Sequence, residues 1–251
     1  MSTKPPSLIT FRVKGSQSIE ERAPVIRERR GIPYPVHLNY AINKILAIYR
    51  MIDFFRAGAS ILCIENTILE AQQLYNLLCS QIGPDNLGLL HSRFTAHDRD
   101  ANEQNWISRL GKDVEPQNRR DHPCIVVGTQ VCEQSLDIDA DILFTSVCPI
   151  DMFLQRIGRI WRHRKFDPVR TRPFPEVYWY GWEGSTIERT INTLESISDK
   201  QFFDLIKDWR SLCIYDGYVM ARTIVTLNKY TELRIPDDIR TLLEDTYADE
   251  V

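Results

Sequence analysis

The sequence predicts an α/β fold: a mostly parallel sheet with helices on both faces, followed by a C-terminal helical extension. Three observations carry this. Short apolar runs recur, SILCI (60–64), LGLLH (87–91), CIVVG (124–128), DILFTSV (141–147) and VYWYG (177–181). Segments with helical spacing alternate with them. The runs are apolar almost throughout, as in strands covered on both faces.

Residues 1–36 read as an extended lead-in. LITFRV within it suits one short strand, and Pro33 and Pro35 close it. From His37 the residues Leu38, Ala41, Ile42, Ile45, Ile48, Tyr49, Ile52 and Phe55 recur at helical spacing, with Gly58 as a stop. After the first strand, Thr67 and Glu70 form a capping box, and Leu69, Leu74, Leu77 and Leu78 continue an amphipathic helix to Gly83-Pro84. Thr95 caps a polar helix through Trp106 and Leu110, and 111–122 reads as a charged loop. Pro149 suits the first turn of a helix carrying Phe153 and Gln155. The sheet domain is expected over 37–183. Residues 184–251 form the extension, with helices at Ile187–Ile197, Phe202–Leu212, Tyr218–Leu227 and Pro236–Tyr247.

With 251 residues and 43% hydrophobic residues, a packed core is within reach. The net charge of -3 and pI near 6 exclude a histone-like polycation, but not a local basic face. Cys63, Cys79, Cys124, Cys132, Cys148 and Cys213 form no C-x-x-C pair, and most sit in apolar runs. Buried free thiols in a reducing compartment fit this better than a zinc site, so no metal ligand set is expected. The N-terminal stretch lacks an apolar signal-peptide core, and no run approaches the ~18 residues that span a bilayer. The expectation is a soluble, cytoplasmic protein without a membrane partner.

Ligands of parallel sheets bind at the carboxyl ends of the strands. The polar segments after Ile64, His91, Gly128 and Val147 all fall there. The last leads into Q-R-I-G-R-I-W-R-H-R (155–164). Arginine keeps its charge and offers a fixed fork of donors, which suits it to charge developing in phosphoryl transfer. Arg159 and Arg162 are three apart, and so share one side of a helix or tight turn. Alone they would suit a solvated basic helix end; the frame around them favours a phosphate. Thr129 and Gln130 end a strand where backbone N–H groups and a hydroxyl can hold a phosphate. Asp137 and Asp139 suit a ribose hydroxyl, a pairing with the arginines, or plain loop capping. Ser92, Arg93 and Asn66 stand at strand ends suited to a nucleic-acid backbone, although Asn66 and Thr67 are explained as well by capping.

Other signals carry less. His97-Asp98 spells the HD pair of metal phosphohydrolases, but His37, His91, His122 and His163 supply no framework for that site. Gly111-Lys112 is followed by Asp113, not by the Ser or Thr of a phosphate-binding loop. The tryptophans suit core or interface positions, with Trp161 the exception because it lies among the arginines.

TQVCEQSLDID (129–139) resembles motif V of superfamily-two helicases, and QRIGRIWRHR (155–164) resembles motif VI. More narrowly, EQSLDID, PID followed by QRIGRIWRH, LLHSRF (89–94), N-T-x-x-x-A-Q (66–72) and PDDIRTLLEDTY (236–247) resemble the CRISPR-associated helicase-nuclease of type I systems. The resemblance covers roughly 38–247 and implies a RecA-like fold for the sheet, as the second of two motor lobes. It implies Arg159 and Arg162 as arginine fingers, and Asp137, Gln155 and Arg156 as nucleotide contacts. Thr129, Gln130, Ser92, Arg93 and Asn66 would touch single-stranded DNA. ATP with Mg2+ would be held mainly by a first lobe, which this chain does not show, nor does it show the HD nuclease. The partners implied are that lobe, the nuclease, single-stranded DNA and a CRISPR surveillance complex. Two alternatives stand beside this: a non-catalytic nucleic-acid or protein-binding remnant of a helicase, and a lobe of a repair or restriction helicase.

Overall fold

The computed structural model describes residues 9–12, 19–22, 32, 34–41, 43–134, 136–181 and 214–247. The chain forms two compact units, 1–31 and 32–251. In the first, β1 (Ile9–Arg12) pairs antiparallel with β2 (Ile19–Arg22).

The second unit is built on a seven-stranded sheet. Its elements in chain order are β3 (Val36–Tyr40), α1 (Lys44–Arg56), β4 (Ile61–Ile64), α2 (Ile68–Ile82), β5 (Leu87–Leu90), α3 (Ala96–Leu110), α4 (Pro116–Asp121), β6 (Ile125–Gly128), α5 (Val131–Gln134), β7 (Ile142–Ser146), α6 (Ile150–Ile157) and β8 (Glu176–Tyr180). Then follow α7 (Gly217–Asn228), β9 (Glu232–Leu233) and α8 (Ile239–Tyr247). Strand order is β5-β6-β4-β7-β8-β3-β9, parallel throughout except for β9. The α/β reading holds.

Alternation along each strand divides the core between the two faces. Leu62, Ile64, Val126, Leu143, Val177 and Trp179 lie on one face with Trp106 and Leu110 of α3, Phe153 and Ile157 of α6, and residues of α7 and α8. Ile61, Cys63, Ile125, Val127, Ile142, Phe144 and Tyr178 lie on the other, against Ala47 and Met51 of α1 and Leu74 and Leu78 of α2. The described part of the extension thus shares the core of the sheet. Tyr247 at its end donates from its hydroxyl to Asp151 Oδ1 at 2.8 Å.

Local signals hold where the chain decides alone. Thr67 and Glu70 form the reciprocal capping box, and Thr95 accepts from Asp98 N. Three expectations change. Residues 36–40 are strand, not helix, because β8 and β9 offer backbone partners on both sides, and the helix starts only after Asn43, whose Oδ1 accepts from Leu46 N. Val36 is fully buried, so the sheet unit begins before the expected boundary at 37. The charged stretch 111–122 contains α4, which opens on Pro116 and turns Arg119 inward. The helices expected at 187–197 and 202–212 lie outside the described residues. Among the described residues no helix is long and apolar enough to cross a membrane.

Burial raises the thiols of Cys124 to about 11 and of Cys132 and Cys148 to about 12, and raises Cys63 further. Thiolate is the reactive form, so a raised pKa leaves these groups neutral and inert at pH 8. A maleimide added at that pH should label half-buried Cys79 and spare those four until the chain is unfolded, as read by peptide mass spectrometry. Phe144→Ala, in a fully buried position, should lower stability by about 3–5 kcal/mol in urea titration.

Candidate functional site

The arginine segment is positioned by α6. Phe153, Arg156 and Ile157 share the buried face of this helix, while Gln155 is exposed. The helix stops at Gly158. Trp161 then adopts a positive φ of 50°, unusual for a bulky residue, and reverses the chain. Its indole Nε1 donates to Asp141 O at 2.9 Å, and its ring lies 4.5 Å from the Arg170 guanidinium. Arg159, Arg162 and His163 all reach back to the segment 133–137.

Arg156 does not stand in the open. It is fully buried. Nε donates to Glu133 Oε1 at 2.8 Å, Nη1 to Thr145 Oγ1 at 2.7 Å and Ser146 O at 2.9 Å, and Nη2 to Asn66 Oδ1 at 3.1 Å. The Asn66 side chain also donates to Val147 O at 2.7 Å. Arg156 and Asn66, expected at a nucleotide and at nucleic acid, are here engaged in bonds between strand ends. A planar fork this far from water must spend its donors on protein groups.

Arg159 is partly buried, and its terminal nitrogens donate to Leu136 O and Glu133 O. Burial, and then the Arg162 charge, lower its guanidinium from the ordinary value. Its Nε is buried and has no hydrogen-bond partner among the described residues. Arg162 has a side chain 41% exposed, with Nε 3.4 Å from Asp137 Oδ1. Asp137 is itself 37% exposed at the side chain, and lines a 390 Å³ pocket with Gln104, Ile107, Ser108, Lys112, Asp113 and Val114. Asp137, Arg159 and Arg162 thus form a half-open cluster.

Asp139, two residues on, has the other fate weighed for it. It is fully buried, and both of its carboxylate oxygens accept from Arg170 Nη2, at 2.8 and 3.1 Å. Asp141 accepts from Arg119 Nη2 at 2.7 Å, Arg170 Nη1 at 2.8 Å and Ser60 N at 2.9 Å. Arg119 Nη1 also donates to Asp139 O. This lattice of two arginines and two aspartates fixes the base of the loop whose upper part carries Asp137. Sequence reasoning missed Arg119, Arg170, Glu133 and His163. Apart from the Arg170–Asp167 pair, three residues apart, the charged partners that place them lie many residues away in the chain.

The expected nucleic-acid residues divide. Ser92 and Arg93 are exposed after β5, beside His91, whose ring stacks on Phe94 at 4.2 Å. Thr129 is buried, its N–H donating to Leu90 O at 3.1 Å. Gln130 is half-buried, and donates to Asn66 O and Tyr215 Oη at 2.9 Å each. Ser92, Arg93, Thr129 and Gln130 all follow the carboxyl ends of the neighbouring strands β5 and β6. Among the described residues no group of three or more His, Cys, Asp or Glu is placed to hold a metal ion.

The mostly parallel sheet with helices on both faces is a RecA-like α/β fold. Comparison with known proteins gives the family. The model "CRISPR-associated nuclease/helicase Cas3, C-terminal" matches residues 57–165. The Cas3 endonuclease/helicase of Escherichia coli K12 is 39% identical over 204 residues, covering 75% of this chain and 22% of the relative. That of Streptococcus thermophilus is 32% identical over 195 residues, covering 77% and 18%. The crystal structure of T. fusca Cas3 matches with a TM-score of 0.68 at 27% identity, over 87% of this chain and 24% of that one. The chain is a counterpart of the C-terminal helicase region of Cas3, and it spans about a fifth of the length of these two curated relatives. Other T. fusca Cas3 structures with this fold carry AMPPNP, ATP or ADP, and a CRISPR RNA-guided surveillance complex, pre-nicking, also matches.

Removing one partner of a buried pair strands the other charge, at a cost of about 3–5 kcal/mol. Arg156→Ala, which leaves buried Glu133 alone, and Arg170→Ala, which leaves buried Asp139 only the 3.9 Å approach of Arg119, should each destabilise the chain by that much in urea titration. Arg162→Ala should move stability by less than about 0.5 kcal/mol, because its pairing with Asp137 is open to solvent.

Proposed function

We propose that the chain is the second motor lobe of an ATP-dependent DNA translocase of CRISPR antiviral defence. The observation that carries this is the division among the arginines. Arg156 is consumed by the fold, whereas Arg162 and Asp137 stay half-open, with Arg159 beside them. In this reading Arg159 and Arg162 are arginine fingers directed at phosphates held on another polypeptide surface. Asp137 meets the ribose, and exposed Gln155 lies at the margin of the same site. The residues present fit a nucleotide: Arg159 Nε is a buried donor without a hydrogen-bond partner among the described residues, and Asp137 and Arg162 are accessible. Bound ATP supplies the phosphoryl group whose transfer drives translocation. The Mg2+ expected with it has no ligand set among the described residues, so its ligands are assigned to the first lobe.

The chain's own residues then stabilise and orient. The guanidinium groups neutralise charge that develops on the phosphoryl oxygens, which is where positioned cations act most strongly. Exposed Ser92 and Arg93 form the phosphate-contacting rim for single-stranded DNA, with Thr129 and Gln130 behind it at the end of the neighbouring strand. The likeness to Cas3 and to a CRISPR RNA-guided surveillance complex structure supports a CRISPR partnership; a cytoplasmic setting and an HD nuclease domain as a further partner belong to the same reading. One observation favours the second reading, a non-catalytic binding module: both terminal nitrogens of Arg159 are engaged by backbone carbonyls.

Turnover separates the two readings. The isolated chain should not hydrolyse ATP, and adding a separately expressed first lobe of a Cas3 relative should restore DNA-stimulated hydrolysis. Arg159→Ala or Arg162→Ala should then lower kcat by about 10³-fold or more. Hydrolysis by the isolated chain, or full activity of both variants, would refute the proposal. Arg93→Ala should weaken single-stranded DNA binding equally across sequences and reduce the salt slope by about 1 in a fluorescence titration.

A further inference from the structure

The turn after β5 carries an aromatic side chain that neither core uses. Phe94 is half-buried, between exposed Arg93 and exposed Thr95. It packs against neither hydrophobic cluster of the sheet. Tyr40, Phe55 and Tyr75 are half-buried too, but each packs on one of those clusters. The Phe94 ring lies instead on the imidazole of His91, with centroids 4.2 Å apart and planes 8° from parallel. Among the described residues no other ring or cation meets it. A parallel stack of this kind covers one face of the phenyl ring.

The backing is fixed from several sides. His91 is buried at the carboxyl end of β5, an edge strand of the sheet. Gln72 of α2 donates from Nε2 to His91 Nε2 at 3.3 Å. Leu90, one residue earlier, accepts from Thr129 N at 3.1 Å and so ties the strand end to β6. On the other flank Thr95 caps α3: its hydroxyl accepts from Asp98 N at 3.2 Å and donates to Asp98 Oδ2 at 2.7 Å. Phe94 is thus held on a rigid support between two anchored positions. A ring already ordered in this way loses little freedom when a ligand settles on it. The described tryptophans offer no such surface, since Trp106, Trp161 and Trp179 are all buried.

We propose that Phe94 is a base-stacking platform of the nucleic-acid rim, taking one base of a single strand on the ring face that His91 leaves uncovered. Every nucleobase has a π-face, so an aromatic platform binds single strands with little regard to sequence. Surfaces that hold single strands combine such platforms with cations along the backbone. Arg93 and Phe94 supply one of each in adjacent positions, the charge for a phosphate and the ring for a base. This rests on the reading of the strand ends of β5 and β6 as a nucleic-acid surface.

Binding of the 251-residue chain to labelled oligothymidylate, compared with an abasic strand of equal length, tests it. The abasic strand keeps the phosphates and lacks the bases, and fluorescence anisotropy over a range of salt reads both. The wild-type chain should bind oligothymidylate the more tightly. Phe94→Ala should weaken that binding about tenfold, leaving the salt slope and the affinity for the abasic strand unchanged. Phe94→Trp, which keeps a π-face, should retain tight binding. Phe94→Leu keeps apolar bulk without a π-face; it should lose the base preference as alanine does, and it decides the matter if alanine lowers the urea midpoint. Wild-type affinity for oligothymidylate in the alanine and leucine variants, or equal losses on both strands, would overturn the proposal. Arg93→Ala tests the underlying reading, since it should lower the salt slope by about 1 on both strands. If it does so while the Phe94 variants keep the base preference, the stacking fails and the rim stands. If the wild-type chain binds neither strand, both fall together.

Discussion

The buried guanidinium of Arg156 is the interaction on which the site end of the sheet depends. It bonds Glu133 after β6, Thr145 and Ser146 at the end of β7, and Asn66 after β4. These strands are neighbours in the sheet, so one side chain ties their carboxyl ends to α6. Desolvating an arginine is costly, and burial would lower its charge affinity. Its partners outweigh that, and its pKa is held above the ordinary value. The geometry is therefore all-or-none: each donor has an acceptor, and removing any one leaves a buried polar group unmet.

Two other buried polar groups work in the same way. Glu65 accepts from Tyr180 Oη at 3.0 Å and from Ser146 Oγ, and pairs with Lys44 Nζ at 2.7 Å. It links α1 and β8 to the end of β4. The Arg119–Arg170–Asp139–Asp141 lattice fixes the strand entry of β7 and the turn after α6. Glu133, Leu136 and Asp137 are tied to the Arg159–His163 turn through Arg159 and Arg162. A lobe that must present charge to a ligand held elsewhere needs that rigidity, because a small misplacement costs much of the electrostatic gain.

Under the proposed function, the half-open cluster is one face of a shared site. Asp137 and Arg162 are about two-fifths exposed at the side chain, and Arg159 is half-covered with its terminal nitrogens on backbone carbonyls. Exposed positive charge facing an acidic side chain is a weak pairing in water. A phosphate in a dry cleft would compete with it strongly, since the same charges interact far more at low dielectric.

The sequence by itself determined β4 to β8, because runs buried on both faces are apolar at nearly every position, and a local pattern suffices to show it. It also determined the caps at Thr67 and Thr95, which are made within three residues, and the placing of polar motifs at the strand ends. The tertiary structure alone decided which arginine is structural. Arg156 and Arg159 are the same residue type three positions apart. The burial of Arg156 depends on partners 11, 23 and 90 residues away. It alone decided that Asp139 pairs inward while Asp137 stays open, since Arg170 lies 31 residues from Asp139. It also turned residues 36–40 from helical spacing into strand, because backbone partners on β8 and β9 outweigh a propensity read from side chains.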